Sequence, residues 1–135
     1  MAVQYAITTR NNRLDEVIAD AGASAWLQFW NGAVPATPVT APAGTLLASC
    51  AMSNPIAPAA SSGVLTCSGI TSDTDANASG TPTFCRISTT ETGTTSGIVQ
   101  MSAASPSGGD INIDQAIVAT GTVAVSGLTI TDGSS

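Results

Sequence analysis

The chain contains no histidine and no lysine, and its only basic side chains are three arginines. Without histidine it cannot supply a Ser-His-Asp or Cys-His catalytic group by itself, nor a metal site with histidine ligands. With so few cations and a net charge of −6, it has no basic patch that could neutralise a row of phosphates. We therefore expect no nucleic-acid partner.

Long apolar runs and a secretory signal are also missing. No apolar stretch approaches the roughly 20 residues that span a bilayer, so we expect no membrane partner. The first residues, MAVQYAITTRNNR, lack the basic region and following apolar stretch of a signal peptide. We expect a protein that is made and folded in a cytoplasm.

Small residues dominate what is present. Alanine, threonine, serine and glycine make up about half of the 135 residues, while charged residues make up 9%. A hydrophobic content of 43% is typical of a folded chain, and this length suits one compact domain. Because threonine, valine and isoleucine favour strands while glycine and proline favour turns, the composition predicts a mainly β fold.

One segment has the period of a helix, from Thr9 to Ala21. Its apolar side chains fall on one stripe, formed by Leu14, Val17, Ile18 and Ala21. We expect Thr8 or Thr9 to cap the start and Gly22 to end the helix in a left-handed conformation. Much of the chain's charge lies here, which predicts a solvated outer face.

After Gly22 the period changes to two. We predict strands at Ala25–Trp30, Thr45–Met52, Gly63–Ser68, Thr81–Ser88, Gly97–Ala103, Asp110–Ile113 and Thr122–Thr131. In the last of these the alternation changes phase, which predicts a bulge at Gly127. The pattern predicts an arm and helix over 1–22, followed over 23–135 by an antiparallel, jelly-roll-like β-sandwich of about seven strands.

The cysteines and the acidic residues each have a simple interpretation. Cys50, Cys67 and Cys85 share their alternation phase with aliphatic neighbours, so we expect reduced, buried thiols. The stretch Asp73–Asn77 resembles the opening of a calcium loop but lacks the later ligands, so we expect a turn built on Asx hydrogen bonds. No pair of carboxylates is placed across a cleft, and we expect no enzyme, metal or cofactor.

Aromatic residues are concentrated in the segment AWLQFW. If Leu27 and Phe29 face the core, Trp26 and Trp30 must point to the opposite face of the strand. Three interpretations remain open for that face: the N-terminal helix covers it, a partner or sister subunit contacts it, or the two rings stack on a sugar.

The order of these segments resembles a family of small virion proteins of tailed bacteriophages. The blocks are TRNNRLDEVIADAG, WLQFWNGAVP, GTLLAS, GVLTCSGIT, SDTDANASGTPTFCRI and DINIDQAIVATGTVAVSGLTIT. Together they cover the chain from Thr9 to Thr131 and are similar to capsid decoration, or cement, proteins. Relatives of that kind tend to have Asp-Gly where this chain has Asn31-Gly32, an equivalent turn former.

The resemblance implies a structural protein on the outer surface of the phage head, assembled in the bacterial cytoplasm. Its partners would be the major capsid protein and sister subunits in a homo-oligomer, with a trimer favoured over a dimer. A tail or baseplate component and a carbohydrate-binding module remain alternatives. The residues predicted to make contacts are Tyr5, Ile7, Leu14, Val17 and Ile18 in the arm and helix, and Trp26 and Trp30 on the aromatic face.

Overall fold

A computed structural model describes residues 3–105, 107–113 and 115–132. One helix is followed by seven short strands, which confirms the mainly β prediction. The elements are α1 (Ile7–Ala21), β1 (Trp26–Trp30), β2 (Leu46–Ala51), β3 (Val64–Cys67), β4 (Phe84–Ser88), β5 (Gly97–Ala104), β6 (Ile111–Asn112) and β7 (Leu128–Thr131).

Helix α1 begins two residues before the predicted start. Ala6 occupies the N-cap position and makes no side-chain cap, so the prediction of a threonine cap is wrong. The main chain alone sets the first turn, with Arg10 N donating to the Ala6 carbonyl at 3.1 Å. The other end is as predicted, because Gly22 takes a φ of 62° that favours glycine.

The strands form a five-stranded sheet in the order β2-β1-β4-β5-β6 and a separate pair, β3-β7. Most pairs are antiparallel, but β5 and β6 run parallel, with Ala103 opposite Ile111. The larger sheet is therefore mixed, and the prediction of an antiparallel arrangement holds only in part. Strand β6 is two residues long and forms the end of this sheet.

The predicted strand Thr122–Thr131 is mostly irregular. Only Leu128–Thr131 pairs with β3, while Val123 forms a single bridge with Asp73. Val123 and Leu128 are nevertheless both buried. The alternation of buried residues therefore changes phase as predicted. Residues 124–127 are not part of a strand, however, so the change does not take the form of a one-residue bulge at Gly127.

One cluster of buried apolar side chains joins the two sheets and the helix. Leu27 and Phe29 of β1 lie in it together with Leu65, Leu128 and Leu14. Cys50, Cys67 and Cys85 also belong to it and are free thiols, as the alternation predicts. Desolvation by burial is the main cause that raises the pKa of all three thiols.

Polar groups of α1 hold neighbouring loops instead of only facing water. Asp15 Oδ1 accepts a hydrogen bond from Ala60 N at 2.6 Å, and Asn11 Oδ1 accepts one from Gly63 N at 2.8 Å. Arg10 Nε donates to the Asp132 carbonyl at 2.7 Å. These three side chains therefore face loops, whereas Arg13, Glu16 and Asp20 are exposed on the solvated face that the sequence predicts.

Candidate functional site

The face of the large sheet that points away from the core carries large polar and aromatic side chains. Because successive residues of a strand alternate, Gln28 and Trp30 of β1 lie on this face, opposite Arg86 and Phe84 of β4. The rings of Trp30 and Phe84 stack with centroids 6.4 Å apart. All four side chains are buried, so something other than the core must cover them.

Arg86 lies at the centre of this face and is fully buried. Its Nη1 donates to the carbonyls of Pro38 at 2.8 Å and Thr40 at 3.2 Å, and its Nη2 donates to that of Thr94 at 2.7 Å. The guanidinium carbon lies 5.2 Å from the ring centroid of Trp30, in a cation–π geometry. Within the described chain no carboxylate forms an ion pair with Arg86. Burial lowers the pKa of Arg86. A guanidinium nevertheless stays protonated in proteins, so this buried group carries its charge.

Gln28 supplies the second half of the network. Its Oε1 accepts hydrogen bonds from Trp30 Nε1 and Arg86 Nε, both at 3.1 Å. Its Nε2 donates to three main-chain carbonyls in the segment 89–96, those of Thr90, Glu91 and Gly93 at 3.0–3.1 Å. The face is thus covered by two loops, the proline-rich loop 33–44 and the hydroxyl loop 89–96.

The proline-rich loop 33–44 is held at several points along its length. Gln100 Nε2 donates to the Pro35 carbonyl at 2.8 Å, three residues before Pro38, whose carbonyl Arg86 binds. Asn31 Oδ1 accepts a hydrogen bond from Thr45 N at 2.7 Å and closes the base of the loop. With its backbone fixed from below, the loop presents Val34 and Val39 to solvent with exposures of 55% and 59%.

The predicted aromatic contact residues are mostly internal. Trp30 is 4% exposed, and its ring is occupied by Phe84 and Arg86. Trp26 is half-buried. The interpretation that helix α1 covers the two rings is wrong, because Leu14 of that helix belongs to the same core cluster as Leu27 and Phe29, on the opposite face of the sheet. Trp30 offers no ring face for a sugar in this arrangement.

The predicted contact residues in the arm and helix divide into two groups. Leu14 is buried, and Val17 and Ile18 pack against the core, so the apolar stripe of the helix is used within the molecule. Tyr5 and Ile7 are 45% and 46% exposed, and the Tyr5 ring lies 4.9 Å from the Arg13 guanidinium carbon. Met1 and Ala2 of the predicted arm lie outside the described residues.

The acidic residues are engaged in local structure. Asp73 Oδ1 accepts a hydrogen bond from Asp75 N at 2.9 Å, the Asx turn expected from the sequence, and its Oδ2 accepts one from Ser49 N at 2.9 Å. Asp110 Oδ2 accepts hydrogen bonds from the side chain and main chain of Ser102, and these lower the pKa of Asp110. The described residues contain no cluster of three or more acidic or cysteine side chains placed to hold a metal ion.

Sequence reasoning missed Arg86, Gln28 and Gln100. The signal was present, because Gln28 in WLQFW and Arg86 in FCRIS each interrupt a run of otherwise apolar or aromatic residues. Both occupy the phase that points away from the core, and their strands turned out to be neighbours. The pairing of β1 with β4 could not be derived from either segment alone.

Comparison with family models, with curated proteins and with solved structures finds no match to this chain. Among the described residues no helix has the length and apolar character needed to cross a membrane.

Proposed function

We propose that this chain is a structural virion protein, a decoration protein that binds the outer surface of a tailed-phage head and stabilises it. We also propose that its two sheets pack as a jelly-roll-like β-sandwich, since Leu65 and Leu128 share one buried cluster with Leu27 and Phe29. The family resemblance supplies the virion context. The structure supports a role in protein contact through its surface.

The observation that carries the proposal is the proline-rich loop 33–44. Its backbone is fixed by Arg86 and Gln100 from below, while Val34 and Val39 face solvent. A loop that is already ordered loses little further entropy on binding, so more of the contact energy appears as affinity. Exposed apolar groups on a pre-ordered loop favour a protein partner.

Charge distribution points to the same loop. No Asp, Glu, Lys or Arg occurs between Asp20 and Asp73, a stretch that includes β1, β2 and the proline-rich loop. A partner that contacts only residues of this stretch meets no charged side chain, and burying an unpaired charge carries a large free-energy penalty. The acidic residues lie elsewhere and keep the net charge at −6, which repels packaged DNA.

Stabilisation of a shell follows from mass action. A protein that binds the assembled shell, and not free capsid subunits, adds its binding free energy at every occupied site. Heads that lack this protein should therefore rupture at a lower temperature than complete heads, and adding the protein back should restore the higher temperature. Equal rupture temperatures would leave a tail or baseplate role, and the copy number per virion would then be tens rather than hundreds.

The contact surface is tested by add-back of charge variants to stripped heads. The double variant Val34→Asp/Val39→Asp should lose more than about tenfold in affinity, since each buried carboxylate costs well over 1.4 kcal/mol. Val118→Asp is the matched control, because Val118 is equally exposed but lies in a different part of the chain. If the double variant binds as well as this control, the proline-rich loop is not the shell contact.

A further inference from the structure

The turn that leads from β1 into the proline-rich loop 33–44 contains a side-chain amide that can react with its own main chain. Asn31 is followed by Gly32, and a bond from the Gly32 nitrogen to the Asn31 side-chain carbonyl carbon closes a cyclic imide. The two atoms belong to adjacent residues, so the reaction is intramolecular and its entropic cost is already met by the chain. The main-chain N–H that follows an asparagine must be free for this attack.

In three of the chain's six asparagines, helix geometry or a proline removes that nucleophile. Asn11 and Asn12 are followed by residues inside helix α1, where each N–H is bonded one turn back. Asn54 is followed by Pro55, which has no N–H at all. None of these three side chains can form the imide in the folded protein.

In two further asparagines, a hydrogen bond in the fold occupies the following N–H. Asn77 precedes Ala78, whose nitrogen donates to the Leu47 carbonyl at 3.2 Å. The N–H that follows Asn112 donates to the Ala104 carbonyl at 3.1 Å. Each of these nitrogens would have to break its hydrogen bond before it could attack, so both sites are protected while the protein is folded.

Gly32 is the exception, because no described residue accepts a hydrogen bond from its nitrogen. The groups on either side are nevertheless fixed. Asn31 N donates to the Thr45 carbonyl at 3.2 Å, and Thr83 Oγ1 donates to the Gly32 carbonyl at 2.6 Å. Gly32 is exposed and has no side chain to shield its nitrogen from base. The nucleophile is thus held in place, unbonded and accessible.

The carbonyl that this nitrogen attacks is polarised by the fold. Thr45 N donates to Asn31 Oδ1 at 2.7 Å, and negative charge develops on that oxygen when a nucleophile adds to Cγ. A fixed main-chain donor aimed at a developing oxyanion lowers the barrier to such an addition. Asn112 Oδ1 accepts a similar bond from Gly109 N at 2.9 Å, but its following N–H is occupied. Asn31 combines the polarised carbonyl with the free nucleophile.

We propose that Asn31 and Gly32 form a self-modification site, at which Asn31 is converted to aspartate and isoaspartate in the folded protein. Base removes the proton from Gly32 N, the bond from Gly32 N to Asn31 Cγ forms, and the bond from Cγ to Nδ2 breaks as Nδ2 takes up a proton and leaves as ammonia. Water then opens the imide. Cleavage at Cγ gives aspartate, and cleavage at the main-chain carbonyl gives isoaspartate; either product carries a new negative charge, and nothing is oxidised or reduced.

The two products should affect the proline-rich loop 33–44 differently. Aspartate keeps an oxygen that accepts the hydrogen bond from Thr45 N. Isoaspartate carries the main chain through Cβ and Cγ, which lengthens it between residues 31 and 32. Gly44 packs so closely that a Cβ there would overlap the Asn31 carbonyl oxygen, so the turn has no room for a longer main chain. A protease should therefore cut the loop faster in the isoaspartate form than in the unmodified protein.

Peptide mapping by mass spectrometry tests the proposal on the full chain, kept folded at mildly alkaline pH. Asn31 should be converted about tenfold faster than Asn77 or Asn112, because only its neighbouring nitrogen is free. Ala78→Gly is the matched variant: it gives Asn77 a following glycine whose N–H still faces the Leu47 carbonyl. In this variant, shown to be folded by circular dichroism, Asn31 should keep its advantage of about tenfold. In urea both nitrogens are free, and the two sites should react at similar rates.

Two results would overturn the proposal. If Asn31 stays intact in the folded protein while it reacts in urea, the bond from Thr45 N protects the amide rather than activating it. If Asn31 and Asn77 react equally fast in folded Ala78→Gly, the free nitrogen is not what selects the site. Should that variant fail to fold, the unchanged chain decides: folding should slow Asn112 by about tenfold or more and should not slow Asn31. Equal slowing of both sites would contradict the proposal.

Discussion

Replacing Arg86 removes the group that joins two surface loops to the sheet. The guanidinium donates four hydrogen bonds, to Gln28 Oε1 and to the carbonyls of Pro38, Thr40 and Thr94. Arg86→Met keeps a long side chain above the Trp30 ring but cannot donate to any of these acceptors. We expect the fold to be strongly destabilised and the proline-rich loop 33–44 to become mobile.

The magnitude follows from what the substitution leaves behind. A buried acceptor without a donor costs about 1–3 kcal/mol. Three carbonyls lose the Arg86 donor here, while Gln28 Oε1 keeps the hydrogen bond from Trp30 Nε1. Opening of the loops to water and the removal of a buried charge offset part of that sum. A net loss of about 3–5 kcal/mol is the usual result when one partner of a buried charged network is removed. For a domain whose total stability is about 5–15 kcal/mol, this is a large fraction.

Urea denaturation measures the effect. With a dependence on urea of about 2 kcal/mol per molar, the midpoint should fall by about 2 M. Arg86→Lys should recover little, because an ammonium group cannot reproduce the fork of donors. Arg13→Gln is the control, since Arg13 is half exposed and its pair with Asp132 contributes less than about 1 kcal/mol. If Arg86→Met and Arg13→Gln unfold at the same urea concentration, the network does not stabilise the fold.

Three further predictions concern other parts of the structure. Gly97→Ala should lower the free energy of unfolding by about 1–3 kcal/mol, because a Cβ at this position would collide with the Pro38 carbonyl. Gly127→Ala is the control and should be near neutral in the same thermal unfolding assay, because its Cβ would meet only Cys67 O at 3.5 Å. Equal effects would contradict the loop contact. The Ser102 hydrogen bonds lower the pKa of Asp110 in the folded protein. The Asp110 carboxylate should therefore stabilise the fold fully above about pH 4, the ordinary pKa of an aspartate, and this contribution should be lost as the pH falls through the lower pKa of the folded state. An NMR titration of the Ser102 amide in which Asp110 shows an ordinary or raised pKa would contradict this. The three buried thiols should react slowly with a thiol reagent in the native protein and rapidly in urea, and fast native labelling of any one would refute their burial.

The sequence predicted those features that depend on a single segment. The stripe from Leu14 to Ile18 places α1 on the core, and the alternation around Cys50, Cys67 and Cys85 places the thiols inside. The Asx turn at Asp73 also follows from residues close in sequence. In each case the deciding interaction is local or is set by burial alone.

Features that depend on which segments become neighbours were not predictable from one sequence. Trp30 is buried because β1 pairs with β4 and because the loops 33–44 and 89–96 both cover the face on which its ring lies. Neither fact can be read from the segment around Trp30. The strands Gly97–Ala103 and Asp110–Ile113 were predicted, but their parallel pairing was not, because it rests on a turn held by the hydrogen bond between Asp110 and Ser102. The start of α1 also differed, because main-chain bonding from Ala6 outweighed a side-chain cap.

The burial of Arg86 connects the stability of this protein with its proposed role. Burying a guanidinium without a carboxylate partner has a large desolvation cost, and an apolar side chain of the same volume often stabilises a fold more. What an apolar residue cannot do is set the positions of three carbonyls that belong to two different loops. In a chain with only three arginines, placing one beneath the proline-rich loop 33–44 fixes the conformation in which Val34 and Val39 are presented. Conformational specificity at this loop is therefore what Arg86 contributes, so a variant that stays folded without it should still lose head binding.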